Sequence, residues 1–253
     1  MCCFTRPVKR VSNTNIFVRP VGSNDQVVVY SMRLSANEEL AMVLPIPTDP
    51  RKGVKAVNFI DLSKYPMFFN ALRNGFPPEG DRTAGLGDTG GAFAAAPKPI
   101  EVVTVGSFDA SFVPSPNDFN RLDERFRLPD GTWEKLGGYE NYGFVVFKLR
   151  SGNAQVHPMA FQFASARPEL LFFPTVHVHD GKVHERATFD HDLYCQVSRG
   201  GVRSLASWQE SQLPASRFIN ASETKGVILA DRHVFRRRIE GIRANKDLGV
   251  TIA

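Results

Sequence analysis

Short apolar runs of strand length dominate the pattern of hydrophobic and polar positions along the chain. Two clear runs, residues 27–34 (VVVYSMRL) and 39–46 (ELAMVLPI), flank Ser35, Ala36 and Asn37. Small and polar residues between two such runs are typical of a turn, so the pattern predicts a β-hairpin here. Pro45, Pro47 and Pro50 follow and are expected to stop further pairing, since proline cannot donate to a ladder.

The rest of the chain continues this pattern with few helical interruptions. Further strands are predicted at residues 100–105, 142–149, 159–163 and within 227–242, and short helices at residues 65–76 and 115–126. The predicted class is α+β, mostly antiparallel β-sheet in a sandwich- or barrel-like arrangement, with two or three short helices. Without an internal repeat, we predict a single β-rich domain over residues 1–253, with a flexible Gly/Ala/Pro-rich loop at 77–99.

Composition narrows the cellular context. Three cysteines in 253 residues do not make a disulfide framework, which favours a reducing compartment. The start of the chain lacks the pattern of a signal peptide, and the longest apolar stretch is too short for a membrane span. We therefore expect a soluble cytoplasmic protein with no membrane partner.

The richest candidate chemistry is a cluster of histidines near residues 173–189 (FPTVHVHDGKVHERATF). Asp180-Gly181 is a strong signal for a two-residue hairpin turn, because both positions tolerate positive φ. The register that follows pairs His177 with His184 and Val178 with Val183. His177, His179 and His184 would then share one face of the hairpin, with the valines on the other.

Three facing imidazoles at cross-strand spacing suit a divalent transition metal such as Zn, Fe or Cu. His191, His157 and Cys195 are candidates to complete the site. The preferred hypothesis is therefore a metal-binding protein, and a metalloenzyme if an open coordination position activates water or dioxygen. The alternative for the same residues is a polar, solvated sheet face without metal.

Two other classes of function stay open. If Met1 is removed, Cys2 becomes a terminal thiol beside its own amino group, as in N-terminal-nucleophile hydrolases. The third hypothesis is a non-catalytic interaction or scaffold module. Net charge is +5, and much of the excess lies between Arg232 and Lys246, a run typical of a solvated face or of contact with an acidic partner.

Partner chemistry is less specific. Twenty phenylalanines against five tyrosines indicate core packing more than base stacking, and no helix-turn-helix or RNA-binding motif is present. A nucleic-acid partner is not expected, and a small-molecule ligand stays possible.

Three further segments carry a resemblance to a known family: VVVYSMRLSANEELAMVLPIPTDP after a Cys-containing start, VGSFDASFVPSPNDFNRL, and YGFVVFKLRSG followed by HPMAFQF. In this order they resemble a bacterial family of unknown function, over residues 2–174. The shared motifs are structural, so the resemblance implies no activity, cofactor or site residue. HVHDGKVH and FDHDLYCQ lie outside the pattern of that family.

Overall fold

Fifteen β-strands form three sheets in the computed structural model, which describes residues 3–77, 102–106, 108–197 and 204–252. The predicted class, a mostly antiparallel α+β fold, is confirmed. In chain order the strands are β1 Cys3–Phe4, β2 Arg10–Val21, β3 Asp25–Ala36, β4 Leu40–Ile46, β5 Val57–Asp61, β6 Val102–Val105, β7 Phe108–Val113, β8 Gly143–Leu149, β9 Gly152–Gln155, β10 Met159–Ala164, β11 Leu170–Phe173, β12 Arg186–Cys195, β13 Gln209–Glu210, β14 Phe235–Ala244 and β15 Leu248–Thr251.

The main core lies between two of these sheets. One has the order β1-β4-β8-β7-β6; the other has the order β13-β14-β12-β2-β3-β10-β5, with β9 also paired to β3. Alternate residues of β3, β4 and β8 meet in one apolar cluster, among them Tyr30, Met42 and Phe147. A small third sheet pairs β11 with β15.

The predicted hairpin of residues 27–46 is wrong, although both of its strands exist. β3 pairs with β2 and β10, whereas β4 pairs with β1 and β8 in the other sheet. The other faces of these strands are buried too: Val27 and Val29 pack in a second cluster, and Ala41 and Val43 in a third. Strands buried on both faces read as continuous apolar runs, which do not specify a partner strand.

Helices are few and short in the part of the chain that the structure describes. The α-helices are α1 Phe68–Arg73 and α2 Thr132–Leu136. α1 confirms the predicted helix at 65–76 and buries Phe68, Phe69 and Leu72 against the outer face of β3. The predicted helix at 115–126 is instead two 3₁₀ helices, Pro116–Arg121 and Glu124–Phe126; the first has one buried residue, Phe119. Other 3₁₀ helices are Pro50–Ala56, Ala215–Arg217 and Ala221–Thr224.

Three further sequence predictions concern the loop at 77–99, membrane-spanning segments and the number of domains. The loop predicted at 77–99 lies outside the described residues from residue 78 onward. Within the described residues, no helix has the length and apolar character needed to span a membrane. The prediction of a single domain stays a prediction.

Candidate functional site

The histidine hairpin predicted for residues 173–189 is wrong. Residues 174–185 contain no regular strand, and β12 starts only at Arg186. The predicted two-residue turn is also wrong: Gly181 has φ +77°, but Asp180 does not take positive φ, and its Oδ1 accepts the Lys182 amide at 3.0 Å instead. His184 bends back, with Nε2 2.9 Å from Asp180 Oδ2. The chain bends at residues 179–182, but the two arms do not pair as a ladder.

Side chains from the connection between β14 and β15 take the place of that ladder. Asn245 Oδ1 accepts the His177 amide at 2.9 Å, and Asn245 Nδ2 donates to the carbonyls of His177 and His184 at 2.8 and 3.0 Å. One amide side chain therefore closes the 177–184 loop. Buried backbone groups need partners of some kind, and here a side chain supplies them.

Asp247 holds the residues just before this loop. Its Oδ1 accepts the amides of Thr175 and Val176, each at 2.7 Å, and its Oδ2 accepts the Tyr139 hydroxyl at 2.8 Å. Burial raises the pKa of Asp247 to about 6. Asn245 and Asp247 together form what we call the side-chain clamp.

The amino-terminal strand packs against the clamped segment. The Phe4 amide donates to the Val178 carbonyl and the Val8 amide donates to the His179 carbonyl, each at 3.0 Å. On its other side, Cys3 pairs with Val43 of β4. Cys3 is therefore a fully buried core residue. Cys2, the predicted nucleophile, lies outside the described residues, and its role stays a prediction.

Three of the predicted histidines do come together. His177 stacks on His179 with ring centroids 4.8 Å apart, His191 lies 6.3 Å from His177, and Phe189 contacts both His177 and His191. We call His177, His179 and His191 the histidine stack. His177 is 5% exposed and His191 fully buried, whereas His179 is partly exposed.

Burial keeps the histidine stack neutral. It lowers the pKa of His177 to about 2 and that of His179 to about 4, and it holds the pKa of His191 well below its usual range. The Asp190 amide donates to His191 Nδ1 at 3.1 Å, so this nitrogen is an acceptor and carries no proton. Within the described residues, the buried His179 Nε2 has no hydrogen-bond partner.

The other predicted ligands lie elsewhere. His184 is exposed beside Asp180. His157 packs on Phe108 with ring centroids 4.0 Å apart, and burial lowers its pKa. Cys195 lies in the main core, where burial raises the pKa of its thiol. Among the residues that the structure describes, no three His, Cys, Asp or Glu side chains are placed to hold a metal ion. The predicted metal site thus gains no support from this geometry.

Sequence reasoning missed an ion-pair network on β12 and β14. Arg236 donates to Asp192 Oδ1 at 2.9 Å, and this pair is almost fully buried. Arg238 contacts Asp192 at 3.4 Å and Asp190 at 3.0 Å, and it also donates to Glu240 at 2.6 Å. The sequence indicates this network by its Asp-x-Asp and Arg-x-Arg spacings. Residues two apart lie on the same face of a strand, so each spacing places two like charges on one face.

The same arginine run also carries exposed charge. Arg237 and Arg243 alternate with the paired arginines and are exposed, as is Lys246 just beyond β14. Within the described part of the chain, none of these three cations forms an ion pair with a carboxylate. The arginines of β14 therefore form two sets, one paired with carboxylates and one exposed.

Comparison with known proteins identifies a similar fold but does not assign the chain to a family. No family model matches the chain. The fold is similar to that of baculovirus P35, at 11% identity and a TM-score of 0.50, covering 99% of both chains. A mutated baculovirus P35 after caspase cleavage matches with 11% identity and a TM-score of 0.49, covering 96% of this chain and 100% of that one. The complex of caspase-8 with P35 matches with 12% identity and a TM-score of 0.44, covering 95% and 91%.

At this level of identity the likeness to P35 concerns the fold alone. The resemblance to a bacterial family of unknown function is a separate matter and stays a prediction.

Proposed function

We propose that this chain is a non-catalytic protein-interaction module whose basic carboxy-terminal segment contacts an acidic partner. The observation that carries the proposal is the division of the cations on β14 and just beyond it into paired and unpaired sets. Arg236 and Arg238 are neutralised by Asp190 and Asp192, whereas Arg237, Arg243 and Lys246 are exposed without a paired carboxylate among the described residues.

Exposed unpaired cations contribute little to the stability of a fold, since surface ion pairs themselves contribute only about 0–1 kcal/mol. They do contribute to association, because a complementary charged surface speeds encounter and penalises wrongly charged partners. The exposed set on β14 therefore fits a recognition role better than a structural one.

The fold gives a first partner to test. A mutated baculovirus P35 has been described after caspase cleavage, and P35 in complex with caspase-8. Those partners belong to P35, and fold alone does not transfer them. They nevertheless make the caspases a defined set of purified proteins with which to test the proposal.

The experiment mixes the purified chain with individual purified caspases. Size-exclusion chromatography with light scattering detects a complex, and cleavage of a chromogenic peptide measures residual protease activity. We expect a complex that weakens at high salt, because exposed charges are screened within about 10 Å at 0.1 M ionic strength. Elution as separate species with every caspase would reject this partner class, and a complex indifferent to salt would count against the basic segment.

A further inference from the structure

Three segments distant in sequence converge at one end of the eight-stranded sheet. β12 runs parallel to β2 and antiparallel to β14, so the starts of β2 and β12 lie beside the end of β14. Arg186 pairs with Ala244, and the Asn245 amide donates to the Glu185 carbonyl at 2.8 Å. The Val8 amide bonds to His179, which brings the residues before β2 to the same end.

This end of the sheet is strongly basic. Residues 8–10, 179–186 and 243–246 carry six cationic side chains and two carboxylates, Asp180 and Glu185, and all eight are exposed. No ion pair involving these six cations is formed within the described residues. We call them the basic sheet end: Lys9, Arg10, Lys182, Arg186, Arg243 and Lys246.

An apolar side chain lies within this charged surface. Ile242 is 64% exposed, directly before Arg243 in β14. The guanidinium of Arg186 reaches the Ile242 carbonyl at 3.4 Å, and that of Arg243 donates to the Glu240 carbonyl at 3.1 Å. Arg186 is thus held beside an exposed isoleucine, whereas Arg243, the next residue along the strand, extends from the opposite face of β14.

We propose that the basic sheet end binds an acidic segment of a partner protein that also buries an apolar side chain on Ile242. This inference rests on the proposed function and gives its surface and partner chemistry. Six cations against two carboxylates supply the charge complementarity, and Ile242 supplies apolar area that a phosphate backbone would leave exposed.

The local chemistry favours a polypeptide over a nucleic acid. Asp180 and Glu185 lie among the cations and would repel a continuous row of phosphates. None of the exposed large apolar side chains of the described residues is Phe, Tyr or Trp, so the ring that this surface exposes is the small imidazole of His184 and no larger base-stacking platform.

The test uses the full chain and two labelled probes, a short peptide of glutamates around a central leucine and an oligonucleotide of similar charge. Fluorescence anisotropy at moderate salt measures binding to the wild type and to Arg186→Glu/Arg243→Glu. A second pair, Lys182→Glu/Lys246→Glu, repeats the charge reversal at side chains that form no hydrogen bond to the backbone of the described residues. Lys52→Glu/Lys55→Glu is the matched control, since both lysines are exposed in the 3₁₀ helix Pro50–Ala56, which packs near β10 at the far side of the sheet. Thermal unfolding confirms that each variant is folded.

We expect the wild type to bind the glutamate peptide, and each reversal at the basic sheet end to weaken binding about tenfold or more, with the control unchanged. Ile242→Ser is expected to weaken binding of the leucine peptide and leave a leucine-free version unaffected. Equal loss in the control, no loss in either reversal, or tighter binding of the oligonucleotide would overturn the proposal. If both charge reversals still bind a caspase, the basic sheet end is not the binding surface, although the proposed function stands. If the wild type binds the peptide but no caspase, the caspases are rejected as partners and the basic sheet end stands.

Discussion

Acid is expected to destabilise this fold through the histidine stack. His177 and His179 have pKa values of about 2 and about 4 because they are buried, whereas an exposed histidine titrates near 6.5. Below about pH 6.5 the unfolded chain binds protons that the folded chain cannot accept. The stabilisation that the neutral histidines contribute is therefore complete above pH 6.5 and is lost as the pH falls.

The size of this loss in unfolding free energy follows from the pKa of histidine in the unfolded chain. When the pH is lowered from about 7 to about 5, each histidine that stays neutral in the folded chain lowers the unfolding free energy by about 2 kcal/mol. Each pH unit below the pKa of the unfolded chain contributes about 1.4 kcal/mol of this loss. His177 and His179 together cost about 4 kcal/mol. Asp247 acts in the opposite direction: its raised pKa of about 6 returns about 1 kcal/mol over the same range. The net loss from these three groups is about 3 kcal/mol, and His191 adds to it in the same direction.

The assay is urea unfolding followed by tryptophan fluorescence at both pH values. His179→Gln is the informative variant, because it removes one titrating ring whose Nε2 has no partner among the described residues. Its stability should fall about 2 kcal/mol less than that of the wild type between pH 7 and pH 5. His184→Gln is the matched control, since His184 is exposed beside Asp180. An unaltered pH dependence in His179→Gln would refute the reasoning.

The remaining predictions concern the other contacts of the site. Arg236→Met leaves the buried Asp192, among the described residues, with its longer contact to Arg238 alone, and should cost about 3–5 kcal/mol in urea unfolding; a loss below 1 kcal/mol would contradict a buried pair. Asn245→Ala removes the bonds that close the 177–184 loop and should cost about 1–3 kcal/mol. Amide exchange should then accelerate at residues 175–185 and stay unchanged in β3. Zn²⁺ should leave the unfolding midpoint unchanged, because His177 and His179 stack while His184 faces Asp180; a rise abolished by His177→Ala would restore the metal hypothesis.

Much of the local fold could be predicted from the sequence, but its pairing could not. Apolar runs located β3, β4, β8 and β10 to within a few residues. The error was to pair β3 with β4 because a turn separates them. A strand with one wet face carries an alternation that specifies its register, but β3 and β4 are buried on both faces and carry none. Their partners are fixed by packing across the whole molecule.

The candidate site shows the same limit in its polar contacts. Asp180-Gly181 correctly indicated a bend, which is a property of a few neighbouring residues, although only Gly181 takes the positive φ of the predicted turn. Whether the two flanking segments pair with each other depends on which other groups form hydrogen bonds with their backbone amides and carbonyls. Asn245 bonds to His177 from 68 positions away, and Asp247 bonds to Thr175 from 72. No local pattern around the histidines shows these competitors, so the predicted ladder and the shared face of His177 and His184 did not form.

The arginine run of β14 contains a two-residue spacing that indicates which of its side chains are paired. Asp190 and Asp192 on one strand and Arg236 and Arg238 on the next have the same two-residue spacing, so each pair lies on one face of its strand. In the observed register Asp192 stands opposite Arg238, and the network neutralises half of the run. The alternating half, with Arg237 and Arg243, then has to face elsewhere. Treating the whole run as one solvated face hid this division, and the division is what leaves a defined set of exposed cations for a partner.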